Sequence, residues 1–228
     1  MKKAIVSSFI LVFFCLQSFS QLLTWTPNFI QETSTPVVIT VDAAKGNRGL
    51  LNYGLTSDVY IHTGVITNLS INNSDWKYVK FNQNFNQPNP ALQATYAGSN
   101  KWQFTITGGI RAYYGVPAGE TILKIALLFR NGDGTLVQRN IDASDMYIPV
   151  YNTSLAVRFS NPLIQPTAVR IPEPITKNIG DIISITALGN KVSDMKLYLN
   201  GTVIQTASNA ISISASPVLT TAGNQVIV

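Results

Sequence analysis

Nearly every periodic stretch of this chain repeats every two residues, and no segment carries a sustained helical stripe. Residues 37–41, 59–65, 76–81, 102–106, 122–130 and 146–150 alternate or run apolar over strand length. Turn chemistry separates them: Lys45-Gly46-Asn47, Asn72-Asn73-Ser74-Asp75, Gly98-Ser99-Asn100, Gly108-Gly109 and Asn131-Gly132-Asp133-Gly134. Many short strands punctuated by glycine and asparagine predict an all-β chain of sandwich type.

The pattern divides into two tandem, immunoglobulin-like sandwiches after a leader. Residues 21–152 form the first. A second unit over 153–228 is expected from a strand at 155–159, alternation at 182–187 and a further strand at 211–214. Pro162, Pro166, Pro172 and Pro174 stiffen the connection between them. Residues 196–204 predict a hairpin, because Asn200-Gly201 supplies the two positive φ positions of a type I′ turn. The second unit has fewer strands than an immunoglobulin-like sandwich needs, and 225–228 reads as a strand under way, so the sequence is expected to be an N-terminal fragment.

Apolar residues make up 46% of the 228 and charged residues 12%, which supplies a core and argues against disorder. Residues 1–20 read as a secretory signal peptide: Lys2 and Lys3 precede an apolar run to Leu16, with cleavage expected between Ser20 and Gln21. That predicts a secreted or cell-surface protein without a retained membrane span. The single cysteine, Cys15, lies in this leader, and Phe13-Phe14 before it do not fit a lipid-anchor signal. Stability must then come from packing and sheet hydrogen bonds, without disulfides. Without Lys2 and Lys3 the chain has 14 basic and 11 acidic side chains, a net charge of about +3. The basic residues are scattered, so the sequence does not predict a nucleic-acid partner.

Within 58–65, alternation turns Val59, Ile61 and Val65 to one side and Asp58, Tyr60 and His62 to the other. One side joins a core. The other offers two rings and a carboxylate on a rigid sheet, an arrangement suited to holding a sugar. On the expected 76–81 strand, Trp76 and Tyr78 share a face opposite Val79 and Phe81, with Lys77 between them. Trp102, aligned with Phe104 and Ile106, reads as core. Tyr113-Tyr114 sits on an expected loop, where it either extends a ring platform or plugs the end of a sandwich.

Catalytic chemistry is poorly supported. His62 is the only histidine and no cysteine follows the leader, so no metal site or cofactor is expected. A Ser-His-Asp site lacks its Gly-x-Ser-x-Gly turn. Glu120, Asp133, Asp142 and Asp145 are carboxylates of the kind a glycosidase pairs, but Asp133 is already explained by turn chemistry. Its run does not have the glycine spacing of a calcium loop. Four Asn-x-Ser/Thr sequons, at Asn68, Asn72, Asn152 and Asn200, are expected by chance in so polar a chain.

Seven stretches in order, 23–27, 38–47, 59–65, 76–79, 114–117, 128–134 and 148–151, resemble the N-terminal region of secreted α-amylases of the Bacteroidetes type. The likeness covers residues 22–228. It implies a sandwich similar to starch-binding modules, then an immunoglobulin-like segment, with a catalytic (β/α)8 barrel further along the polypeptide. Similar modules pair a histidine on a Tyr-x-His strand with a downstream tryptophan, here His62 and Trp76. Such modules also use a second tryptophan after the Phe-Arg-Asn-Gly turn, where this chain has Leu136-Val137-Gln138-Arg139-Asn140.

The resemblance and the residues together predict a non-catalytic α-glucan-binding accessory region. Tyr60, His62, Trp76 and Tyr78 would give the ring surface, and Asp58 and Lys77 would take sugar hydroxyls. Its partners would be an α-glucan polysaccharide and the catalytic domain of the same polypeptide. The competing expectation is a purely structural spacer, since fold alone does not fix function.

Overall fold

The computed structural model describes residues 21–80, 84–162 and 175–228. The expected leader with Cys15, and Phe81, Pro166, Pro172 and Pro174, lie outside these residues. Numbered in chain order, the strands are β1 (Leu23–Thr26), β2 (Val37–Asp42), β3 (Val59–Thr67), β4 (Thr95–Gly98), β5 (Lys101–Ile106) and β6 (Ile122–Asn131). They continue as β7 (Val137–Gln138), β8 (Met146–Pro149), β9 (Val157–Asn161), β10 (Ile185–Leu199) and β11 (Thr202–Ala215), and Ile110–Tyr114 form a short helix, α1. The all-β expectation holds.

One sheet runs β1-β2-β5-β4, and a second runs β3-β6-β7 with β8 also paired to β6. Every strand pairing in both is antiparallel. Alternation decides which side chains meet between them. Val37, Ile39 and Val41 of β2 and Trp102, Phe104 and Ile106 of β5 face Val59, Ile61 and Val65 of β3 and Ile125, Leu127 and Phe129 of β6 in one shared core. The expected inward set of β3 is thus the observed one. Inside this core the Thr63 hydroxyl lies 2.7 Å from that of Tyr114 and donates to the Ala126 carbonyl at 2.9 Å, so the polar atoms are satisfied.

A third sheet, β11-β10-β9, gathers a separate small core of Ile185, Ala187, Met195, Leu197 and Ile213. Asn200 and Gly201 turn β10 into β11 with φ of 52° and 79°, the conformation their sequence predicts. Both arms extend well beyond the expected hairpin: β10 has 15 residues and β11 has 14. Ile182 falls outside β10 and makes an isolated bridge to Val218. The strand expected at 155–159 sits two residues later, as β9. Arg158 of β9 reaches the first sheet, its guanidinium 4.5 Å from the Trp25 ring centre and donating to the Asn28 carbonyl at 2.8 Å.

Two expectations are corrected. Residues 76–80 are not a regular strand. They form one ladder bridge to β3, Lys77 to Val65, and no regular strand, because Tyr78 has φ of 51° and breaks the alternation. Tyr113-Tyr114 is not on a loop but in α1, which ends at Gly115 in the left-handed conformation, and Tyr114 joins the core.

Candidate functional site

β3 and β6 define an outer surface as well as an inner one. Their register sets Tyr60 opposite Arg130, His62 opposite Leu128, Gly64 opposite Ala126 and Ile66 opposite Lys124; β8 then adds Tyr147 opposite Ala126. An exposed sheet face would be polar at these positions. Here Leu128 and Ala126 are buried, so other parts of the chain cover the face.

The cover at one end is built on Arg130, which has no solvent exposure. Its guanidinium donates to the carbonyls of Asn131, Gly132 and Gln87 at 2.7, 2.9 and 2.7 Å, tying the 84–89 loop down onto the sheet. It also lies 5.6 Å from the Tyr60 ring centre and 5.1 Å from that of Phe85. Tyr60 is therefore 7% exposed, which corrects the expectation of an open ring. Asp58 is occupied as well: its carboxylate accepts from the Tyr53 hydroxyl at 2.6 Å and the Gly132 amide at 3.1 Å.

At the other end, residues 75–80 run along the free edge of β3. Val65 and Lys77 exchange backbone hydrogen bonds of 2.9 and 2.8 Å, and the Lys80 amide donates to Thr63 at 2.9 Å. Gly64 permits this approach, since a Cβ there would stand 2.9 Å from the Lys77 carbonyl oxygen. The turned backbone at Tyr78 separates two rings expected on one face. Tyr78 packs against the main core, and its hydroxyl donates to Glu120. Trp76 lies on the outer surface against Ile66, Ala126 and Tyr147. Tyr78 is accordingly no part of an outer platform. Lys77 is ion-paired to Asp75 at 3.0 Å.

Trp76 and His62 do come together. Their ring centres are 5.7 Å apart with planes tilted by 31°, and Phe85 meets His62 edge-on at 5.4 Å. His62 and Trp76 are half-buried and Phe85 is exposed, so the row runs from the sheet out to solvent. Burial, followed by the positive charges of Arg130 and Arg139, pushes the His62 imidazole down to about 4. It is neutral at physiological pH, an uncharged ring beside an indole.

The loop between β7 and β8 supplies the polar border. The Arg139 amide donates to Asn47 Oδ1 at 2.9 Å, and the Asn140 side chain donates to Ser144 Oγ at 3.0 Å and the Asp145 carbonyl at 2.7 Å. These anchors place the Arg139 and Asp145 side chains 3.6 Å apart, within electrostatic reach of His62 and Tyr147. Burial raises the Asp145 carboxyl above its ordinary range, with Arg139 opposing that rise. Asp133 and Asp142 instead cap their own turns, through Thr135 and Ser144.

Sequence reasoning missed Phe85, Arg130, Arg139 and Tyr147 as site residues, and it weighed Asp145 only as a catalytic acid. Among the described residues, no group of three His, Cys, Asp or Glu side chains is arranged to hold a metal ion, and no helix is long and apolar enough to cross a membrane. No family model matches the chain, and no curated protein matches it.

Proposed function

We propose that this chain is a non-catalytic α-glucan-binding accessory region of an exported α-amylase-like glycoside hydrolase, whose catalytic domain lies elsewhere in the same polypeptide. The carrying observation is the Trp76–His62 ring pair, half-exposed on the outer surface of β3 and β6 and continued by exposed Phe85. Pyranose C–H edges pack on neutral aromatic faces of this kind. A row of small area gives weak single-site affinity, because little surface is buried and bound water is displaced. Its use is tethering, which raises the effective concentration of an attached enzyme at an insoluble polymer.

Affinity electrophoresis of the full chain in soluble starch tests this reading. Retardation is expected for the parent and lost for Trp76→Ala. A Trp76→Ala chain retarded as strongly as its parent removes the proposal. A structural spacer is the second reading, favoured by the burial of Tyr60 and by the internal partners of Asp58. An unretarded parent selects it.

A further inference from the structure

The third sheet is joined to the first sandwich through a short, open joint. On one side of it the Tyr151 amide donates to the Ile30 carbonyl at 2.7 Å, and the Tyr151 ring meets Phe29 edge-on at 5.0 Å. On the other side Asn190 of β10 holds the backbone. Its side chain donates to the Ser154 carbonyl at 2.8 Å and accepts from the Ala156 amide at 2.8 Å. Residues 152–155, at the joint itself, are exposed. A stretch with so little buried surface turns readily unless side chains close across it.

Arg158 closes across it. Its guanidinium lies over the Trp25 ring, 4.5 Å from the ring centre, while Nη1 donates to the Asn28 carbonyl at 2.8 Å. Trp25 belongs to the main core and is 8% exposed. One side chain of β9 thus holds both a core ring and a backbone carbonyl of the first sandwich. A second bond across the joint, from Gln21 Nε2 to the Ser160 carbonyl, is long at 3.4 Å. Arg158 is half-buried, yet no carboxylate stands within ion-pair distance of it among the described residues. Burial lowers its pKa, with Tyr151 opposing that fall. A cation taken partly out of water without a counter-charge needs its face and its edge occupied, and the indole and the carbonyl occupy them.

We propose that Arg158 is a latch that locks the third sheet to the first sandwich across the 152–155 joint, so that the two move as one rigid body. The planar guanidinium stacks on Trp25 with its face and bonds Asn28 with its edge at the same time, which an ammonium group does not do. The attraction is between a cation and a ring in close contact, with no opposite charge for salt ions to screen, so the latch holds at high ionic strength. It acts on orientation and not on either core: the third sheet gathers its own apolar cluster, and Trp25 keeps its core neighbours when Arg158 leaves. The latch is independent of the α-glucan reading.

Backbone ¹⁵N relaxation on the full chain tests it, by comparing the rotational correlation time of amides in β3 and β6 with that of amides in β10 and β11. The parent should show one shared time, at low salt and in about 1 M salt, where the Debye length is about 3 Å. In Arg158→Gln and in Arg158→Lys the shared time should be lost, with the third sheet tumbling faster than the sandwich. Amide exchange in β2 and β10 should match the parent in both variants, which separates an opened joint from an unfolded unit. Two correlation times in the parent at low salt overturn the latch, as does a single shared time in Arg158→Gln. A parent that uncouples only at high salt overturns it too, because an ion pair would then hold the joint.

Discussion

β6 and β11 are both long antiparallel strands, yet they sit in opposite surroundings. β6 has 10 residues and is buried along almost its whole length, inward against the β1–β2–β5 sheet and outward under Arg130, His62 and Tyr147. β11 has 14 residues and fully buries only Ile213. Its valine, isoleucine and threonine residues favour strands without needing depth. The contrast teaches that strand length and hydrogen bonding to a partner do not by themselves make a core. A covering layer does, and β6 has one on each side.

This contrast can be broken by experiment. The largest expected effect is in the doubly covered region: Trp102→Ala removes a fully buried indole and should cost about 3–5 kcal/mol in urea unfolding. Amide exchange in β10 and β11 should stay unchanged, and a parallel loss of protection there would show that the regions share one cooperative unit. Arg130→Met tests the outer cover. Stranding three carbonyls should cost about 3 kcal/mol and release the 84–89 loop, read as faster exchange at Gln87. Leu197→Ala probes the thin core. With few packing contacts to lose in so small a cluster, about 2 kcal/mol is expected, with protection lost in β9 to β11 only.

The smallest effect is a pH dependence. His62 titrates near 4 when folded and near 6.5 when unfolded, so the unfolded chain binds more protons between those values. Stability is therefore full above about pH 6.5 and declines as pH falls toward 4, by about 1–2 kcal/mol after allowance for solvent screening. Asp145, with its raised carboxyl, acts in the opposite direction at the acid end. Comparing the parent with His62→Gln cancels that contribution, since both retain Asp145. A slope unchanged by the substitution would place His62 in water rather than beneath Trp76 and Phe85.

Much of the inner architecture was legible in the sequence because period two is a local property. Val59, Ile61 and Val65 point inward, Trp102 is core, and Asn200-Gly201 turns the hairpin as its residues predict. The outer surface was less legible, because its cover comes from distant parts of the chain. Nothing near Tyr60 announces that Arg130 will be drawn beneath it by carbonyls at Gln87, Asn131 and Gly132. Trp76 and Tyr78 keep the spacing of a strand, yet one left-handed residue sends them to opposite sides. The short strands β1, β4 and β7 carry too few residues for a pattern to register. Asp145 could have been separated from Asp133 and Asp142 on one local signal: those two each precede a Thr or Ser by two residues, the spacing of a self-capped turn, and Asp145 does not.

Among the described residues no strand pairs with the side of β11 that faces away from β10, and this carries a further consequence. From Thr202 to Ala215 the strand contains no lysine and no proline, the usual residues that discourage another strand from docking. Midway, Ser208 and Asn209 lie between the pairs formed by Ala207 with Met195 and Ala210 with Ser193, leaving two residues across from Asp194 alone. Asn209 turns to φ of 52° and its amide donates to the Asp194 carboxylate at 3.1 Å. That kink and a second register shift, between Leu197 and Tyr198, divide one long template into shorter pieces, which discourages copies of the chain from docking along it into fibres.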